Sequence, residues 1–137
     1  MTTFSGSHIW IIGASTGIGR SLALRLAREG AILSLSARNT TALEDLRLEL
    51  NGAHTIYPLD VSRVDLLVAA ANAQPRIDAV IFMAGQYAPG PFADSNPAEN
   101  KAIIETNLIG AMNAVHAILP IMRHQKNGQI ALCGSVA

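Results

Sequence analysis

Five short apolar runs recur along the chain: His8–Ile12 (HIWII), Ala31–Ser36 (AILSLS), His54–Leu59 (HTIYPL), Asp78–Ala84 (DAVIFMA) and Gln129–Cys133 (QIALC). Near-continuous apolar character over so few positions predicts strands buried on both faces of a sheet. Between the runs the period changes. Gly17–Gly30 sets leucines and alanines at helical spacing, with basic residues on the other face and Gly30 as a stop. Asn39–Gly52 opens with cap-type residues and closes on Asn51 and Gly52, and Val61–Gln74 ends before Pro75. Asn96–Gly128 is longer, with Pro97 suited to a first helical turn and Gly128 to an exit, while Pro120 inside it predicts a kink. Strand and helix alternating in this way predict βαβ units, hence an α/β fold with a parallel sheet and right-handed crossovers. Such sheets bind ligands at the carboxyl ends of their strands, beside the switch in strand order. The proline- and glycine-rich connection Gly85–Pro97 leaves one of those ends, as a functional or mobile loop.

Composition narrows this picture. The 137 residues fit one domain, residues 1–137; half are hydrophobic, 15% are charged, and mean hydropathy is +0.29. That suits strands covered on both faces, or a domain that lacks part of its cover. Ten basic and ten acidic residues cancel, and neither a basic patch for nucleic acid nor a polybasic stretch for a membrane surface stands out. No apolar run reaches the roughly 18 residues of a membrane span, and the start lacks a signal-peptide pattern, so a cytoplasmic protein is expected. Cys133 has no partner for a disulfide and is expected as a small buried residue. The four histidines show no ligand spacing, so no metal site is expected.

The candidate chemistry begins after the first run. In IIGASTGIGR, Gly13, Gly17 and Gly19 mark a strand-to-helix turn. Gly13 allows a sharp turn, Gly17 admits a pyrophosphate close to the backbone, and Gly19 lets the helix pack on the strand. Free N–H groups at the helix start then face phosphate charge. The weaker alternative is a glycine-rich turn with no ligand. At the other end, Ser135 follows the fifth run, where α/β sheets place their chemistry.

These landmarks resemble the short-chain dehydrogenase/reductase family. GASTGIG is similar to that family's cofactor loop, LDVS (Leu59–Ser62) to its aspartate motif, FMAG (Phe82–Gly85) to its N-N-A-G, and TNLIG (Thr106–Gly110) to its N-x-x-G. The resemblance implies a doubly wound, Rossmann-like parallel sheet of five strands, with the C-terminal part of the family fold missing. It implies cofactor contacts from Gly13, Ser15, Thr16, Gly17, Ile18, Gly19, Arg38, Asp60, Val61, Ala84 and Gly85, with Asp60 at the adenine. It implies catalytic roles for Ser135, orienting a carbonyl oxygen, and Asn107, in a proton relay; Asn107 could instead bond the backbone of a neighbouring strand or loop, and Ser135 could be an ordinary turn residue. Phe82 and Met83 depart from the family's asparagines.

The second run ends with Ala37 where family members that use NAD carry an acid, and Arg38 follows. A guanidinium there can bind a 2′-phosphate, so NADP(H) is expected over NAD(H). The family's tyrosine–lysine pair has no counterpart: neither Tyr57 nor Tyr87 starts a Y-x-x-x-K. The chain thus reads as a fragment of an NADP(H)-dependent oxidoreductase acting on a small-molecule carbonyl or alcohol, inactive by itself and expected as a homo-oligomer. The alternatives are a non-catalytic nucleotide-binding module and a half-domain completed by a partner chain.

Overall fold

The computed structural model describes residues 3–135, and within them each apolar run contributes a strand to one parallel sheet. The strands are β1 (His8–Ile12), β2 (Ile32–Ser36), β3 (Thr55–Ile56), β4 (Ala79–Phe82) and β5 (Gln129–Leu132), in the order β3-β2-β1-β4-β5. Strand order therefore reverses at β1, and the switch point lies at the carboxyl ends of β1 and β4. Registers are fixed across it: Ile12 pairs with both Ser36 and Phe82, and Phe82 with Leu132.

The helices are α1 (Gly17–Arg28), α2 (Thr40–Glu49), α3 (Val64–Asn72), α4 (Pro97–Ile104) and α5 (Gly110–Gln125). Alternate strand positions feed two cores, as the pleat requires. Ile9, Ile11, Leu33 and Leu35 face α1 and α2, joined by Leu26, Leu43 and Leu46. Trp10, Ile12, Val80 and Phe82 face α3 and α5, joined by Leu67, Ile77, Ala114 and Ile118.

Three expectations need correction. The third run forms a strand of only two residues. Pro58 has no N–H to offer, and at the other end the His54 side chain replaces a strand carbonyl. The Leu33 N–H donates to His54 Nδ1 at 3.1 Å, which leaves Nε2–H to donate to the Asn51 carbonyl at 3.3 Å. The long helix departs from α geometry at a π-helical turn, Glu105–Ile109, and runs through Pro120 to Gln125. Taken together, Pro97–Gln125 is long and apolar enough to cross a membrane, with hydropathy 1.3 over its most apolar stretch, contrary to the expectation that nothing was. One face of it packs inward, with Ala114, Ala117, Ile118 and Met122 buried against α3 and the sheet, while only 22% of its most apolar stretch is buried.

β5 is the exposed edge of the sheet. Ile130 packs on the α5 side, but Ala131 is exposed and Leu132 keeps 55% of its surface.

Candidate active site

A cavity of about 500 Å³ opens at the switch point. Its floor is the turn between β1 and α1, with Gly13, Ser15, Thr16, Gly17, Ile18 and Gly19. Ala37, Arg38 and Asn39 close it after β2, Asp60 and Val61 after β3, and Met83, Ala84 and Gly85 after β4. Every residue expected from the sequence to touch a cofactor lines this one cavity.

The three glycines have distinct physical tasks. Gly13 stands at φ +97°, and a Cβ there would overlap the Ala84 nitrogen and lie 2.7 Å from the Met83 carbonyl carbon. It lets β1 and β4 leave the sheet side by side. A Cβ on Gly19 would collide with the Gly13 carbonyl oxygen, so α1 seats directly on the turn that starts it. Gly17, at φ +56°, has nothing within 4 Å of the place a Cβ would occupy. The space there is open toward a ligand.

The start of α1 is also unlike those of α2 and α4. Asn39 caps α2 by accepting from Ala42 N–H at 3.0 Å, and Asn96 caps α4 by accepting from Ala98 N–H at 2.9 Å. Thr16 makes no such bond, and no acidic side chain lies in the first turn of α1. The N–H groups and the positive end of the helix dipole thus face the cavity without a side-chain anion, the arrangement that receives phosphate. Arg38, exposed beside it, adds a cation.

Asp60 is held by a tight local turn. Its Oδ1 accepts from Ser62 N–H at 2.9 Å and from the Ser62 hydroxyl at 2.8 Å. The Ser62 N–H bond, chiefly, holds the carboxyl below the usual carboxylate range; burial opposes it, and the Ser62 hydroxyl, Arg38 and Arg63 assist. A depressed carboxylate contributes stability that is complete above the unfolded range, about pH 4, and is lost as pH falls through its own lower value. Asp60→Asn is therefore expected to melt below the parent at neutral pH, with the gap closing as pH falls below about 4. Thermal melts along that pH series check it; a constant gap would show that the charge contributes nothing.

The residues expected to be catalytic sit at the rim. Asn107 lies in the π-helical turn, and its amide is engaged by one peptide: Gln86 N–H donates to Oδ1 at 2.7 Å, and Nδ2 donates to the Gln86 carbonyl at 2.9 Å. That is the loop-bracing alternative for this residue. Ser135 is exposed beyond the end of β5, and Cys133, the residue just after that strand, reaches the cavity wall. Cys133 is exposed, not buried as expected: it lies just past β5 at the sheet edge, with its N–H donating to the Phe82 carbonyl at 3.0 Å. Phe82 and Met83, in the place of two asparagines, point to opposite cores; Phe82 is buried at 2% exposure.

Sequence reasoning missed Asn39, Thr106 and Cys133 as wall residues. Asn39 carried a legible signal, since a cap-type residue three positions after β2 and immediately before α2 must sit at the helix start beside the cavity.

A family model described as short chain dehydrogenase matches residues 7–137. The chain belongs to the short-chain dehydrogenase family. The sequence is 33% identical to an uncharacterised oxidoreductase of Listeria monocytogenes, over 98% of its own length and 57% of that protein. It is 31% identical to an NADP-dependent 3-hydroxy acid dehydrogenase of Schizosaccharomyces pombe, over 100% of its length and 57% of the other. Among solved structures, a 3-oxoacyl-[acyl-carrier protein] reductase with bound NAD from Brucella melitensis superposes with a TM-score of 0.82 at 28% identity, covering 92% of this chain and 52% of that one. The chain thus spans little more than half the length of these relatives.

Proposed function

We propose that the chain forms the NADP(H)-binding part of an oxidoreductase that interconverts a small-molecule carbonyl and alcohol. The observation that carries this reading is the uncapped start of α1 facing a cavity whose β2 side offers Arg38 and no acid. The residues fit the cofactor. The helix-start N–H groups and the open space at Gly17 suit a pyrophosphate, and Asp60 suits an adenine edge. Arg38 suits a 2′-phosphate, through charge-assisted hydrogen bonds. The S. pombe relative, named as NADP-dependent, supports the choice.

The bound nicotinamide would supply or take the hydride. This chain's part is to hold the phosphates, exclude water from the strand ends and, through Ser135, orient the carbonyl oxygen. Asn107 serves by bracing Gln86, and with it the turn after β4. With Tyr57 and Tyr87 both outside a Y-x-x-x-K, the 137 residues by themselves bind cofactor without turnover. Self-association through the exposed apolar side of the long helix, where Leu108 and Met112 stand 53% and 60% exposed, belongs to the same reading.

Titration calorimetry with NADPH and NADH tests it. A charge-assisted bond to phosphate contributes about 1.5–3 kcal/mol, so Arg38→Ala is expected to weaken NADPH about ten- to a hundredfold. NADH, which has no phosphate at that position, should bind the variant as it binds the parent. Equal losses for both cofactors would show that Arg38 does not read the 2′-phosphate, and no binding of either by the parent would remove the nucleotide reading altogether.

A further inference from the structure

We propose that Asn113 is a positioning residue for the adenosine half of the cavity, acting with Gly110 through the loop that follows β3. The inference rests on the nucleotide reading above and goes beyond it, because Asn113 does not line the cavity.

Gly110 and Asn113 are three residues apart on α5 and so share one face of the helix. That face meets the loop. Val61 is buried to 6% exposure, and a Cβ on Gly110 would stand 2.5 Å from Val61 Cγ2, so only glycine lets α5 come this close. One turn further, Asn113 Nδ2 donates to the Val61 carbonyl at 3.0 Å, with the Ser62 carbonyl at 3.4 Å. These partners lie 52 and 51 residues away in sequence. The bond is long-range, and no local turn can replace it.

Asp60–Ser62 is consequently held from two sides. Inside the loop, Asp60 Oδ1 gathers the Ser62 N–H and hydroxyl; outside it, the Asn113 amide gathers the carbonyls. Asp60 and Val61 are both cavity wall, so their placement sets how an adenine edge and its ribose are met. The donor must be an N–H. A carboxylate at residue 113 would aim negative charge at two carbonyl oxygens, and an apolar side chain would leave those carbonyls without it. The nicotinamide half, beside Met83–Gly85 and Cys133, receives nothing from Asn113.

The test separates the two halves of the cofactor. Adenosine 2′,5′-bisphosphate and nicotinamide mononucleotide are titrated by NMR into the parent chain, Asn113→Asp and Asn113→Leu. Asp keeps the shape and removes the donor; Leu does the same without charge, and either variant that folds decides the matter. The expected result is an adenosine bisphosphate affinity about tenfold weaker, or about 1.4 kcal/mol, because the loop is no longer held in its binding geometry before the ligand arrives, with nicotinamide mononucleotide unchanged. A lower melting temperature with parental affinity for both fragments would make Asn113 a purely structural residue and overturn the proposal. So would an equal loss for both fragments, which would mean a general collapse. If the parent binds neither fragment, the nucleotide reading itself fails and takes this one with it.

Discussion

Gly19→Ala is expected to abolish folding of the chain, while Gly17→Ala, two residues earlier, leaves it folded. The added methyl at Gly19 meets the Gly13 carbonyl oxygen, a backbone atom fixed by the Gly13 N–H bond to the Ser36 carbonyl, 2.7 Å. Neither side can yield without lifting α1 off β1 or breaking the β1–β2 connection. Relief by such shifts costs about 4 kcal/mol or more, against a total of about 5–15 kcal/mol for a domain of this kind. Gly17 differs in both respects. Its methyl enters open space, and the remaining cost is the left-handed backbone, about 1–2 kcal/mol. That methyl would stand where a pyrophosphate is proposed to pass, so Gly17→Ala should retain most of its stability and lose cofactor affinity. Soluble yield, thermal melts and NADPH titration on the two variants check the contrast. Equal melting temperatures would falsify the division of labour drawn here between a glycine for packing and a glycine for ligand.

The second large effect is expected at the centre of the sheet. Trp10 has no exposed surface, and its Nε1–H donates to the Ser36 hydroxyl, also fully buried, at 2.8 Å. Trp10→Ala removes one of the largest buried side chains and orphans that hydroxyl. Cavity formation at an aromatic position costs about 3–5 kcal/mol, and an unsatisfied buried group about 1–3 kcal/mol more. The sum approaches the whole stability of the chain. Trp10→Phe and Ser36→Ala are milder, because each loses the bond while keeping most of the volume. Together they should cost less than the sum of the two, since the second removes a partner already orphaned by the first. Urea unfolding followed by circular dichroism supplies the cycle, and strict additivity would mean that the indole and the hydroxyl do not interact.

How much of this was legible beforehand follows from the range of each signal. The sheet and its helices were, because alternating apolar runs and helical periods are local and each is repeated. The glycine turn was legible for a similar reason, since it is a backbone requirement written in consecutive residues. The truncation of β3 was not. Pro58 was plain to see at one end, but at the other the strand is limited by the His54 ring accepting from Leu33, a side-chain substitution for a ladder bond that no periodicity marks. The π-helical turn escaped notice because nothing in the composition of ETNLI marks one. Cys133 looked buried because its run is apolar, yet β5 is an edge whose residues stay exposed. Asn113 carried no spacing signature at all. A polar residue within a helix declares nothing until its distant partner is known.

Trp10 is also the chain's single tryptophan, and its strand ends two residues later, about 7 Å along, at a residue of the cavity wall. The molecule therefore holds one indole fluorophore, excitable apart from Tyr57 and Tyr87 at the red edge of the band, shielded from water and next to its own candidate site. Its emission colour reports whether the sheet is assembled. Its intensity reports, by energy transfer and without a label, whether a near-ultraviolet absorber has entered. Nature has in effect wired the core and the cavity to the same lamp.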